Sequence, residues 1–329
     1  METVISGITR ESLAEAKKIL LSGGAVAFPT ETVYGLGADA RSDAAVENIY
    51  RIKGRPQDNP LIVHVHLDYN LDSLVYDDKP YAKILRKTFL PGPLTLVYRS
   101  KGKVSGRVSC GLDTLAVRVP SHPDAQAFLR FVDLPIAAPS ANISKHVSPV
   151  SAEHVYYDLN GKIPLILDGG ACSGGIESTV CDVTGDYPVV LRQGLVSKEM
   201  IERAVGRCEV YVPKEGEQVR SPGMKYKHYA PKCKTCLFDD PKAAVAAFAD
   251  LKKQGNRVYV LCESKYAEMF SPENVLDLGK TPEEMASRLY SLLRQGEKVA
   301  DVIVAVRPQE QGGVMAGVLN RMNKACAGE

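Results

Sequence analysis

Apolar positions along this chain alternate between helical spacing and short continuous runs. Leu13, Ala16 and Leu20 share one face of the segment from Arg10 to Leu21, with Thr9 as candidate cap and Gly23-Gly24 as stop, which predicts a surface helix. Ala25 to Phe28 reads as a strand running straight into Pro29-Thr30-Glu31-Thr32. Val46, Ile49 and Tyr50 mark a second helix, ending at Lys53-Gly54-Arg55-Pro56 before a strand from Leu61 to Val65. Further strands are predicted at Leu94 to Tyr98, Leu115 to Val119, Pro135 to Ala138, Leu165 to Leu167, Thr179 to Val183 and Val189 to Leu191. Strands outnumber helices at irregular spacing, which favours a mixed α/β sheet over a regular doubly wound one.

From about Val212 to Pro231 the pattern gives way to Pro, Gly and charge, as expected of a connector. A clean alternation follows. It predicts a strand near Thr235 to Phe238, a helix from Pro241 to Lys253, a strand from Val258 to Cys262, a helix from Pro282 to Leu293, a strand from Asp301 to Val306 and a last helix from about Val314. With 329 residues, two domains are expected, the second a small α/β unit.

Composition narrows the function classes. Charged residues make up 24% and hydrophobic residues 45%, ordinary for a globular protein, and the net charge of +2 argues against a cationic protein held on nucleic acid by charge alone. No apolar run approaches the ~20 residues of a membrane helix, and the opening METVISGITRESLAEA lacks the order of a signal peptide, so a cytoplasmic protein is expected. Eight cysteines are too sparse for a disulfide scaffold. Cys233 and Cys236 form one CxxC, but with no second CxxC and no nearby His pair a structural role is favoured over a redox or metal site.

The familiar nucleotide and hydrolase signatures GxGxxG, HExxH and GxSxG are absent, and Gly279-Lys280-Thr281 is better read as a helix start than as the end of a P-loop. What remains is a set of polar clusters placed where apolar strands end: Pro29 to Thr32, Pro139-Ser140-Ala141-Asn142, and Glu177-Ser178-Thr179 after a glycine-rich stretch. Hydroxyls and bare backbone N–H groups at strand ends suit a small polar or anionic ligand. Singly, each cluster reads as a turn or cap; together they favour a binding site. Nearby cations are Lys53 and Arg55, Arg118 inside an apolar strand, and Arg192 at a strand end. Arg118 must find an anion, either a ligand such as a polyphosphate or an internal carboxylate, and Lys53 and Arg55 suit either a phosphate or a solvated helix end. A strand histidine such as His64 is ordinarily structural. The stretch Lys225 to Tyr229, where Lys225, Lys227 and His228 interleave with Tyr226 and Tyr229, reads as an exposed linker or as a charged aromatic lid.

Taken together, Ala27-Phe28-Pro29-Thr30-Glu31-Thr32-Val33-Tyr34-Gly35-Leu36-Gly37, Lys53-Gly54-Arg55-Pro56 with Asn59-Pro60-Leu61, Pro91-Gly92-Pro93-Leu94-Thr95, Ala138 to Asn142, Glu177 to Val180 and Leu191-Arg192-Gln193-Gly194 resemble the YrdC-like L-threonylcarbamoyladenylate synthases. The likeness is dense over about the first 205 residues; Ser221 to Pro231 and Gly317 to Ala325 resemble the long, two-domain form. The resemblance implies a YrdC-like twisted mixed open sheet with a concave basic face over residues 1–206, a lid-forming linker over 207–231, and a smaller Rossmann-like α/β domain over 232–329. It also implies that L-threonine, bicarbonate and ATP become threonylcarbamoyl-AMP and pyrophosphate, with Mg²⁺ held mainly on the ATP phosphates, for a tRNA-modifying threonylcarbamoyl transferase complex downstream. By matching positions, Thr32, His64, Arg118, Ala138 and Ser178 would hold threonine. Arg55, Asn59, Thr114, Ser140, Ser148, Arg192 and Tyr229 would hold ATP, and Lys53 would sit close to bicarbonate or phosphate, making Lys53 and Arg55 the expected catalytic pair. The alternative is a double-stranded RNA or tRNA-binding module without catalysis, which the net charge disfavours; carbamoyl transfer in metalloenzyme maturation ranks last, since the zinc-finger and acylphosphatase-like segments are absent.

Overall fold

The computed structural model describes residues 2–212 and 229–326, so the expected lid residues from Ser221 to His228 lie outside the described residues. The first domain contains strands β1 (Val4–Gly7), β2 (Val26–Phe28), β3 (Gly35–Asp39), β4 (Ile62–His64), β5 (Val75–Tyr76), β6 (Leu94–Ser100), β7 (Thr114–Arg118), β8 (Ile136–Ala138), β9 (Leu165–Asp168), β10 (Thr179–Asp182), β11 (Val189–Arg192) and β12 (Glu209–Val210). They form one sheet ordered β1-β9-β2-β3-β8-β4-β7-β6-β10-β11-β12, with β5 added beside β6. Parallel pairs such as β4 with β7 alternate with antiparallel pairs such as β6 with β7, so the sheet is mixed. Helices α1 (Arg10–Leu21), α2 (Asp43–Lys53), α3 (Pro80–Phe89), α4 (Gly106–Ser109), α5 (Pro123–Val132), α6 (Ala152–Leu159) and α7 (Lys198–Val205) complete this domain.

The second domain is a four-stranded parallel sheet ordered β13-β16-β14-β15, from β13 (Lys234–Phe238), β14 (Val258–Cys262), β15 (Val275–Asp277) and β16 (Val302–Val306). Helices α8 (Pro241–Lys253), α9 (Pro282–Val299) and α10 (Gly313–Cys326) connect and cover it. Strand β12 extends the first sheet beyond Gly206, into the stretch expected to be connector.

Local chemistry explains the elements. Helix α1 buries Leu13, Ala16, Ile19 and Leu20 and starts in a reciprocal cap between Thr9 and Ser12, a device worth about 1 kcal/mol. Thr281 caps α9 in the same way with Glu284, which accounts for the Gly279-Lys280-Thr281 sequence. Strand β3 has the composition of a loop, yet a Cβ on Gly35 or Gly37 would lie 3.0 Å from the Phe28 ring, and one on Gly37 also 2.7 Å from Ile136 Cγ2, so glycine lets β3 lie close against its neighbours. The eight cysteines are all free thiols. Cys233 precedes β13 and Cys236 lies within it, and burial pushes both thiols up, Cys233 to about 11, so neither is activated.

The two domains share one continuous apolar cluster, in which Val147, Ile176, Leu289, Tyr290 and Met322 meet. Buried Arg294 of α9 reaches across to Asp158 of α6 at 2.7 Å and to the Val147 carbonyl. Gly175 marks the closest approach: its φ is +73°, and a Cβ there would fall 2.3 Å from the Ala286 carbonyl oxygen of α9. Gly175→Ala should therefore lower stability by at least the about 1–2 kcal/mol of a left-handed alanine, with the clash in addition. Urea denaturation measures this directly; an unchanged midpoint would mean that α9 does not press on this loop.

Candidate active site

The register of the central strands lays out the floor of a cavity. His64 on β4 lies opposite Arg118 on β7, and Arg118 lies opposite Thr95 on β6, so three polar side chains form a row across three strands. The three polar clusters that follow β2, β8 and β9 form the walls of a cleft of about 680 Å³, open solvent at its mouth included.

One end is organised around Arg118. Its Nη1 donates to Thr32 Oγ1 at 2.8 Å, its Nε donates to the Gly92 carbonyl at 3.4 Å, and its Nη2 lies 2.8 Å from Glu31 Oε1. The contact to Glu31 is an ion pair without hydrogen-bond geometry, and among the described residues Nη2 and both Glu31 oxygens are buried without an aligned partner. Burial is the largest influence and would raise the Glu31 carboxyl, but the Arg118 charge together with the polar contacts around the group holds it low. Thr30 shapes this loop, its hydroxyl accepting from the Thr32 and Val33 N–H groups and donating to the Val33 carbonyl. His64 is driven down to about 3 by burial first and the Arg118 charge second, so it is neutral. Its Nδ1 is 3.1 Å from the Ile62 carbonyl, which can only accept, so Nδ1 carries the proton and Nε2 is left as an acceptor.

The other end is cationic and hydroxyl-rich. Arg192 donates through Nε and Nη2 to the Ser178 carbonyl at 3.2 and 2.9 Å, while the Ser178 and Thr95 hydroxyls bond at 2.8 Å. Arg55 donates through Nη2 to the Asn59 carbonyl at 3.1 Å, and its buried Nε has no hydrogen-bond partner among the described residues. Burial lowers the proton affinity of both guanidinium groups, yet arginine stays charged at neutral pH, so both favour an anionic neighbour. Ser148 donates to Glu177 Oε1 at 2.6 Å, and Glu177 Oε2 accepts from Tyr290 at 2.9 Å and from Arg321 Nε at 2.9 Å. Burial would raise the Glu177 carboxyl, but the charges of Arg321 and Arg192 and its hydrogen bonds hold it at about 2. Tyr229 closes this end, with a left-handed φ of 71° and its ring stacked on Tyr290 at 5.4 Å. Beyond it, the Ala230 N–H donates to the Lys145 carbonyl at 3.1 Å.

A family model described as telomere recombination, covering the Sua5, YciO and YrdC proteins, matches residues 18–194, and one described as the threonylcarbamoyl-AMP synthase C-terminal domain matches residues 196–327. The threonylcarbamoyl-AMP synthase of Bacillus subtilis (strain 168) is 43% identical over 96% of this chain and 93% of its own length. The chain belongs to the threonylcarbamoyl-AMP synthase family. The synthase of Pyrococcus abyssi is 41% identical over 94% of this chain and 92% of its own length. The crystal structure of Pyrococcus abyssi Sua5 complexed with L-threonine matches at a TM-score of 0.91 and 39% identity, covering 99% of this chain and 97% of that one.

Within this family's fold, the expected threonine residues Thr32, His64, Arg118, Ala138 and Ser178 all line the cavity, as do Arg55, Ser140, Ser148, Arg192 and Tyr229 of the expected ATP set. Asn59 and Thr114 are outside its wall. The Asn59 carbonyl accepts from Arg55, and Thr114 lies on β7 two residues before Ala116, the partner of Ile62, on the side where Pro60 lines the cavity. Lys53 is placed differently from expectation. Its fully buried Nζ donates to the Ser140 carbonyl at 2.5 Å, the Asn142 carbonyl at 2.6 Å and Asn142 Oδ1 at 3.2 Å, so its three donors are spent on the loop beneath the cavity. Sequence reasoning missed the partners Glu31, Glu177, Tyr290 and Arg321. Both carboxylates sit inside clusters it singled out, so an unassigned acid beside an assigned hydroxyl was the available signal.

The neutral state of His64 has a consequence for stability. Its folded value of about 3 lies below the ordinary 6.5, so the unfolded chain takes up the proton first as pH falls. The stabilisation is complete above pH 6.5 and declines below it, by about 2 kcal/mol at pH 5 at 1.36 kcal/mol per unit. Asp158 and Glu177 contribute with the same sign but at lower pH, both being held at about 2. Denaturation at pH 7 and pH 5 should show this loss in the parent chain and not in His64→Asn; equal losses in both would contradict a neutral His64.

Proposed function

We propose that the cavity binds L-threonine, bicarbonate and ATP and joins them into threonylcarbamoyl-AMP with release of pyrophosphate. The observation that carries this reading is the Arg118 fork, buried beside the Thr32 and Ser178 hydroxyls and only obliquely matched to Glu31. A substrate carboxylate entering there gains the aligned, charge-assisted hydrogen bonds that Glu31 does not make. Neutral His64 offers an acceptor for the threonine hydroxyl, and the short Ala138 side chain leaves room for the methyl group. A relative of the same two-domain form crystallised with L-threonine supports this assignment.

The nucleotide takes the opposite end, its phosphates toward Arg55 and Arg192, with Ser140, Ser148 and Tyr229 around the nucleoside and Asn59 and Thr114 at the rim. The threonine amine attacks the carbon of bicarbonate, water departs and a carbamate forms. A carbamate oxygen then attacks the α-phosphorus, the bond to the bridging oxygen breaks, and pyrophosphate leaves. No protein nucleophile is needed, so the chain contributes positioning and charge. Lys53 contributes by holding the Ser140 to Asn142 loop in place. Magnesium would enter on the phosphates: among the described residues no three His, Cys, Asp or Glu side chains gather, and Glu177 is already engaged by Arg321.

On this reading residues 1–206 are the catalytic unit, 207–231 a connector that covers the site, and 232–329 the unit that anchors it. The labile product passes to a tRNA-modifying transferase in the cytoplasm; no helix among the described residues is long and apolar enough to cross a membrane.

Purified protein with ATP and Mg²⁺ should release pyrophosphate only when both L-threonine and bicarbonate are present, with L-serine as control. Absence of threonine-dependent release from folded protein would favour the RNA-binding alternative, checked by salt-sensitive RNA affinity. Arg55→Ala and Arg192→Ala should each lower kcat/KM for ATP at least about tenfold, the loss of one charged contact, with folding intact by circular dichroism. Near-normal turnover in either would contradict the assigned phosphate roles.

A further inference from the structure

We propose that Tyr290 and Arg321, carried by α9 and α10 of the second domain, are positioning residues for the nucleotide, acting through Glu177 on Ser148 and directly on Tyr229. This rests on the synthase reading. Glu177 divides its carboxylate between the domains: Oε1 accepts a hydrogen bond from Ser148 at 2.6 Å, while Oε2 accepts one from Tyr290 and one from Arg321 Nε, both at 2.9 Å. The same two side chains hold Tyr229, whose ring stacks on Tyr290 and lies 5.6 Å from the Arg321 guanidinium. Ser148, Glu177 and Tyr229 all line the cavity.

The hydrogen-bond inventory gives the arrangement a direction. Serine has one proton to donate and two lone pairs to accept with. Glu177 is an ionised acceptor, so it accepts the Ser148 hydrogen bond and leaves only lone pairs for the ligand. Ser148 is thereby set to receive an N–H or O–H, which a nucleotide provides at its ribose hydroxyls or its adenine amino group and not at its ionised phosphates. Without Tyr290 and Arg321, Glu177 would be a buried carboxylate with weakened support, and both Ser148 and Tyr229 would lose their fixed orientation. A buried ion pair is not needed for stability, since apolar replacements often serve as well. Here its polar atoms instead converge on two residues of the nucleotide wall.

Calorimetric titration with ATP and steady-state pyrophosphate release test this on the full chain. Tyr290→Phe removes one hydroxyl and keeps the ring, and Arg321→Lys keeps the charge and removes Nε. Each should weaken ATP binding and raise KM for ATP at least about fivefold, while KM for threonine stays within about twofold. Tyr290→Phe should add little to Ser148→Ala, because both act on one contact. Phe248→Ala, in a separate apolar cluster of the second domain, supplies a variant that loses stability alone and should leave KM for ATP unchanged. Unchanged ATP affinity in Tyr290→Phe and Arg321→Lys, a proportional loss resembling that of Phe248→Ala, or fully multiplicative effects with Ser148→Ala would overturn the inference. If the parent chain binds ATP but shows no threonine-dependent release, the synthase reading fails and the calorimetric comparison still decides the positioning role. If it binds no ATP, both fail.

Discussion

The ionised carboxylate of Glu177 is the constraint on which the cationic end of the cavity depends. Fully buried, it can persist only while cations and hydroxyls surround it, and two of its three hydrogen-bond donors come from the second domain. Arg192, Arg321 and Lys324 gather around it, and burial followed by the two arginine charges lowers Lys324 to about 8. Among the described residues these three cations cluster around one carboxylate, in a chain of net charge +2. Such a focused field suits a polyphosphate ligand, whereas a broadly cationic surface would suit nucleic acid. The second domain is thus part of the electrostatics of the site and not only a neighbour.

The Arg118 end is built by different means. Sheet register alone brings His64, Arg118 and Thr95 into one row, so strands far apart in sequence supply adjacent contacts without any flexible loop between them. Loops then add Thr32 and Ser178. A rigid floor with hydroxyl-bearing walls is what a reaction between bound substrates requires, because most of the barrier lowering comes from orientation and fixed charge.

Much of this was legible in the sequence, and the exceptions have physical causes. Apolar strands such as β6, β7 and β14 and capped helices such as α1 and α8 follow from local pattern. Strand β3 does not, because its glycines are selected by the Phe28 ring against which they pack, and strand propensity counts against them. Helix α5 carried readable spacing in Ala125, Phe128, Leu129 and Val132 yet lay between stronger strand signals. In the site, residue types at strand ends pointed to an anion-binding cavity, and family resemblance supplied the roles. Neither could pair Glu177 with Arg321, 144 residues away, or exhaust the Lys53 donors on a single loop, since both depend on how distant segments meet.

Three local costs converge on the cavity wall. Tyr229 holds a left-handed backbone worth about 1–2 kcal/mol in strain, Arg55 keeps a buried Nε without a hydrogen-bond partner among the described residues, and Arg118 and Glu31 lie close but misaligned. On the synthase reading two of them would be offset by parts of the same bound set: phosphates at Arg55 and a carboxylate at Arg118. Strain in a single place could be an accident of packing. One left-handed backbone and two incompletely matched arginines around one cleft, with Lys53 beneath and Glu177 beside it, fit the proposed site, whose ligands would supply the missing contacts.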